Sequence, residues 1–87
     1  MTDTQKFVLA VFEAKGAVPG ATPEEKLKQD YFEAGLVDSI GIVDLVAELE
    51  KKFGVRFTDK NFQDPRFAII GGIAELVAEH QAAAPKA

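Results

Sequence analysis

The stretch from Ser39 to Phe53 constrains this chain most, because it carries two apolar stripes at helical spacing. At about 100° per residue, Ile42, Leu45, Val46, Leu49 and Phe53 fall on one narrow face, the predicted core face. Ile40, Val43 and Ala47 form a second stripe about 100–160° round from Ile42. Asp44, Glu48, Lys51 and Lys52 fill the remaining polar face. A surface helix needs only the first stripe to dock on a core, so the second predicts apolar side chains left partly in water. Gly54 is a natural stop for this helix.

The flanking segments read as further helices. Thr2 and Gln5 have the spacing of a capping box. The run FVLAVFEAK then predicts a helix over about residues 4–15, with Val8, Val11 and Phe12 on its buried face and Gly16 at its end. A connection over 16–38 follows, too long to be featureless. Within it, Thr22-Pro23-Glu24-Glu25 combines a cap, a first-turn proline and an acidic third position, which predicts a short helical turn. Val55, Phe57 and Phe62 alternate with polar residues, but a strand there would have no partner. A loop and one helical turn capped by Thr58 or Asp59 is the better reading. Asp64-Pro65 then opens a last helix running to about Gln81, with Phe67, Ile70, Ile73 and Val77 buried. Gly71-Gly72 inside it costs about 1 kcal/mol per glycine relative to alanine. Close helix contact explains such a pair, and a looser bundle that admits cargo is the sharper alternative.

The predicted fold is all-α: a small four-helix bundle of three main helices plus one short one, with a long first loop. The 87 residues make one domain, over 1–81, with a flexible C-terminal tail over 82–87.

Composition removes several functions. Lys plus Arg total 10 against 14 Asp plus Glu, and the net charge of -4 disfavours a nucleic-acid surface while favouring basic partners. With no cysteine there is no disulfide, thiolate metal site or cysteine nucleophile. The one histidine, His80, lies 41 positions from Ser39 and reads as an exposed residue without a role, which argues against a serine hydrolase. Asp3 stands where a signal peptide would be basic, and the longest apolar stretch, Phe67 to Ala74, is eight residues, so no membrane span and a cytoplasmic location are expected.

The segment GLVDSIG, residues 35–41, leads directly into the two-striped helix. Taken alone, a serine there is an N-cap. The longer stretch YFEAGLVDSIGIVDLVAELEKKFGVRF, Tyr31 to Phe57, resembles the acyl carrier protein family, which includes peptidyl and D-alanyl carriers. Asp38-Ser39-Ile40 matches the family's Asp-Ser-Leu modification motif, and the exit Phe53-Gly54-Val55 and the segment FAIIGGIAELV fit as well. The resemblance covers nearly the whole chain.

The resemblance implies that Ser39 carries 4′-phosphopantetheine, installed from coenzyme A by a phosphopantetheinyl transferase. Acyl or aminoacyl cargo would ride as a thioester on the distal thiol, in lipid, fatty-acid, polyketide or nonribosomal-peptide-type biosynthesis. The carrier would be a substrate tether, not an enzyme. A chain without cysteine does thioester chemistry only with an imported thiol, and the free N–H groups and dipole of a helix start favour the phosphodiester's charge. Asp38 is a helix-start carboxylate that would also help place the transferase's metal. Ile40, Val43 and Ala47 would form a docking strip, flanked by Asp44, Glu48 and Glu50 as carboxylates that steer basic partners. Those partners would be the transferase, an acyl- or aminoacyl-loading ligase and downstream biosynthetic enzymes, visited briefly by a monomer. Leu36-Val37 before the motif and Gly41 after it look closer to stand-alone peptidyl or D-alanyl carriers than to fatty-acid carriers. A helical adaptor that binds a partner through the same strip, without a prosthetic group, is the competing reading.

Overall fold

The computed structural model describes residues 1–83, all of it helix, turn and loop apart from one isolated β-bridge. Helix α1 spans Asp3–Glu13, α2 Pro23–Leu27, α3 Gly41–Phe53, α4 Asp59–Gln63 and α5 Ile70–Ala83, with a 3₁₀ turn over Pro65–Ala68. Three are main helices, as expected; the short elements number three rather than one, because the turns expected at Thr22 and Thr58 both form and the 3₁₀ turn adds a third. Helix α5 reaches two residues into the segment read as a tail, and the rest of that segment lies outside the described residues.

The caps explain where the helices begin. Thr2 and Gln5 form the expected capping box on α1, Thr22 accepts from the Glu25 N–H on α2, and Thr58 with Asn61 makes a second box on α4. Helix α1 ends at Ala14, before Gly16. Helix α3 stops at Gly54, whose φ of 66° is the left-handed conformation glycine adopts without strain.

Helices α1 and α5 approach each other most closely, and their apolar faces (Val8, Phe12, Ile73, Leu76, Val77) are sealed from water. Helix α3 lies farther from the other backbones and reaches this core through Leu45 and Leu49, both fully buried. Its other core-face residues, Ile42, Val46 and Phe53, are partly buried against the same cluster. Burying a leucine contributes about 1.5–3 kcal/mol, so these two side chains are the main attachment of α3.

The last helix is not continuous from Pro65. It breaks at Ile69, which is extended (φ −110°, ψ 136°). The break lets the extended Ile69 bridge to Asp30 at the end of the first loop. The Ile70 N–H donates to the Gln29 carbonyl at 3.1 Å, the Tyr31 N–H to Ala68 at 3.3 Å, and the Tyr31 hydroxyl to the Phe67 carbonyl. Tyr31 is fully buried, and desolvation raises its phenol well above the usual range.

The Gly71-Gly72 pair belongs to this junction. A Cβ on Gly72 would lie 2.0 Å from the Arg66 carbonyl oxygen, and one on Gly71 would lie 2.9 Å from that of Leu27. The pair permits close backbone packing at the entrance of α5; the loosening role is not needed to account for it. Gly72→Ala is expected to cost at least about 3 kcal/mol in urea unfolding, because a backbone carbonyl cannot swing aside as a side chain can. A loss below about 1 kcal/mol would mean that the 3₁₀ turn and α5 part easily.

Arg66 secures the same junction. Its guanidinium donates to Glu79 at 2.5 and 3.1 Å and to Asp64 at 3.0 Å, and these bonds hold both carboxyls below the ordinary carboxylate range. Because both folded-state values are depressed, the stabilisation is complete above about pH 4 and lost as pH falls through the lowered values. Arg66→Gln should therefore flatten the fall in urea midpoint between about pH 5 and about pH 2. An unchanged acid limb would assign acid lability to other groups.

Candidate functional site

The chain reaches Ser39 from a tightly specified turn. The Leu36 N–H donates to the Tyr31 carbonyl at 3.0 Å and the Gly35 N–H to that of Phe32 at 3.1 Å, with Gly35 left-handed at φ 73°. This is a Schellman termination, fastened upstream by Asp30, whose side chain accepts from the Phe32 and Glu33 N–H groups. Val37 then plugs into the core, and Asp38, Ser39 and Ile40 emerge exposed.

Helix α3 begins at Gly41, two residues after the expected start at Ser39; Ile40 at its cap position makes no side-chain bond, and the side chain that bonds the entering turn is Asp38 rather than the serine. Asp38 Oδ1 accepts from the Ile40 N–H at 3.1 Å and the Gly41 N–H at 2.6 Å, while its carbonyl accepts from Ile42 at 3.0 Å. The approach is close: a Cβ on Gly41 would lie 3.2 Å from both Asp38 Oδ1 and Val37 Cγ1, so a larger residue there would push these side chains by a few tenths of an ångström. Ser39 is thereby released from capping. Its hydroxyl is exposed and makes no hydrogen bond among the described residues.

This arrangement corrects one electrostatic expectation. The Val43 N–H is also engaged, by the Ile40 carbonyl at 3.2 Å, so the first N–H groups of α3 are not free to bind an anion on Ser39. The helix dipole remains, but the Asp38 carboxylate already sits on its positive end.

The second stripe is exposed as expected: Ile40 is 77% and Val43 66% accessible, and Ala47 is exposed too. Asp44 and Glu48 are likewise exposed. Val43 and Ala47 join Ile42, Val46, Glu50, Phe62 and Phe67 around a mostly apolar groove of about 360 Å³, while Ile40 stands apart. Phe62, nearly half exposed on α4, is the member that sequence reasoning missed; an aromatic amid the polar residues of a one-turn helix was the available signal. Glu50 is not a free steering carboxylate, since its Oε2 accepts from the Phe57 N–H at 2.8 Å. His80 also differs from expectation: it is partly buried, with Nε2 2.6 Å from Asn61 Oδ1 and its ring edge-on to Phe57. It ties α5 to α4.

A second groove, of about 460 Å³, opens on the other side of the motif between Lys15, Phe32, Leu36, Val37, Asp38 and Gly41. Among the described residues no three His, Asp or Glu side chains are placed to hold a metal ion, and no helix is long and apolar enough to cross a membrane.

Residues 14–78 match the family described as phosphopantetheine attachment site. The chain is 39% identical over 57 residues to the D-alanyl carrier protein of Streptococcus suis, covering 61% of this chain and 72% of that protein. It is 34% identical over 55 residues to the D-alanyl carrier proteins of Streptococcus sanguinis and Streptococcus gordonii, covering 63% of this chain and 70% of each relative. No solved structure matches the chain at a significant level.

The division of labour between Asp38 and Ser39 has a direct thermodynamic test. Asp38→Ala should cost about 1 kcal/mol in urea unfolding through the lost cap. Ser39→Ala should change stability by less than about 0.5 kcal/mol, because its hydroxyl holds nothing. Equal losses would show that the serine shares the capping.

Proposed function

The chain belongs to the phosphopantetheine attachment family, with covalently attached 4′-phosphopantetheine as cofactor, and on that premise we propose that Ser39 is the attachment point of a carrier protein. The observation that carries this reading is the exposed Ser39 hydroxyl, left without a partner because Asp38 caps the helix in its place. The residues fit the group: the oxygen can be substituted without breaking a hydrogen bond or displacing core side chains.

When attached, the group supplies the thiol that holds cargo as a thioester. Ser39 Oγ forms the new bond to the β-phosphorus of coenzyme A, the pyrophosphate linkage breaks, and adenosine 3′,5′-bisphosphate leaves. The hydroxyl proton goes to a base on the phosphopantetheinyl transferase, since the adjacent Asp38 carboxylate is held by the Ile40 and Gly41 N–H groups. Asp38 contributes twice. Its Oδ1 holds the approach to Ser39, and its Oδ2, which makes no hydrogen bond among the described residues, is left for the transferase's magnesium ion.

Ile40, Val43 and Ala47 form the apolar docking strip, with Asp44 and Glu48 as the carboxylates that attract basic partner surfaces. Those partners are the transferase, a loading ligase and downstream enzymes, met one at a time in the cytoplasm by a monomer whose carrier domain is residues 1–81. Similarity to D-alanyl carrier proteins favours an aminoacyl or other small acyl cargo; it lends nothing to the lipid and fatty-acid pathways that the sequence analysis admitted.

Incubation with coenzyme A and a broad-specificity phosphopantetheinyl transferase should add one phosphopantetheinyl group by intact mass, and Ser39→Ala should abolish the gain. No gain, or a gain that survives the substitution, would return the chain to the adaptor reading.

A further inference from the structure

One groove among the described residues touches the residues that flank Ser39. The groove of about 460 Å³ is lined by Asp38 and Gly41, immediately before and two residues after the serine. The apolar groove beside Val43 begins at Ile42, and a third, between α1, α2 and α5, lies among Met1, Leu27 and Gly72. The groove at Ser39 is also unlike the apolar one in chemistry. Phe32, a residue 43% exposed, and half-buried Leu36 give it apolar surface, Asp38 and Lys15 give it charge, and Gly35 leaves backbone accessible.

Charge supplies the second argument. A phosphodiester on Ser39 would sit beside the Asp38 carboxylate, and the N–H groups of the α3 start are already taken. Two adjacent anions repel unless a cation joins them. Lys15 is the cation that lines this groove, and it forms no ion pair among the described residues. It is delivered there by the end of α1, where its N–H donates to the Phe12 carbonyl at 2.9 Å.

We propose that this groove seats the chain's own prosthetic arm, with Lys15 pairing the phosphodiester and the arm's apolar backbone covering Phe32 and Leu36. The inference rests on attachment at Ser39. It gives a function to Lys15, Phe32 and Leu36 and leaves the Val43–Phe62 groove open to partners while the arm is stowed. A tethered group meets its seat at an effective concentration of order millimolar, so contacts too weak for a free ligand suffice to populate the docked arm. They are also weak enough to release it to an enzyme.

Amide spectra of the ¹⁵N-labelled protein before and after modification test this, with intact mass confirming full conversion. Perturbations are expected at Lys15, Phe32, Gly35 and Leu36 as well as around the motif. The arm's thiol should react with iodoacetamide roughly twofold more slowly than free pantetheine. Modified Lys15→Glu, an exposed change, should lose the Phe32 and Leu36 perturbations and regain the full thiol rate; modified Phe32→Ser should do the same with the lysine intact. Perturbations confined to residues 38–42, or moved to Val46 and Phe62, would overturn the seat while leaving the carrier reading standing. Absence of modification, read first by mass, would remove both.

Discussion

The main-chain pairing between the end of the first loop and the entrance of α5 organises everything downstream of it. Gln29 and Tyr31 exchange hydrogen bonds with Ile70 and Ala68, and the buried Tyr31 phenol adds a third to Phe67. These bonds interrupt what would otherwise be a single helix from Pro65, satisfy backbone groups that the break exposes, and close a loop of more than twenty residues. The closed loop sets the direction in which residues 35–38 arrive at α3. The position of Ser39 is thus decided by contacts made some thirty residues farther along the chain.

Asp38 and Ser39 are neighbours with the same capping chemistry, and only one of them can use it. The Schellman turn at Gly35 and the buried Val37 present Asp38 to the N–H groups of Ile40 and Gly41. The carboxylate therefore takes the structural task and the hydroxyl stays chemically available. The cost is electrostatic. An acid fixed at the positive end of a helix consumes the advantage that such an end offers to a phosphate. A carrier built this way needs its counter-charge from elsewhere, and Lys15, just past the end of α1, lines the groove beside Asp38.

Much of this was legible in the residues because it is local. The capping box at Thr2, a cap at Thr58 or Asp59, the proline-led turn at Thr22 and the two stripes of α3 all depend on spacings of a few positions. The loop over 55–58 was readable for want of a partner strand. What was hidden is tertiary. The segment 65–81 has unbroken helical periodicity, and its break at Ile69 is where Gln29 and Tyr31 pair with it; the glycine pair was the clue in the sequence. The choice of Asp38 over Ser39 as cap depends on the approach of the chain. The diversion of Glu50 to the Phe57 N–H and the tethering of His80 to Asn61 join residues 7 and 19 positions apart. Phe62 was visible as an aromatic, but its place opposite Val43 required the position of α4.

The proposed attachment point has a mechanical consequence. Ser39 stands on a short span clamped at both ends, by a buried valine and a doubly bonded carboxylate on one side and the first turn of α3 on the other. Any lever magnifies angular play at its pivot in proportion to its length. With the pivot stiffened, the volume swept by the far end is governed by rotations within the lever itself, so delivery errors at a distant enzyme do not grow from wobble in the pedestal.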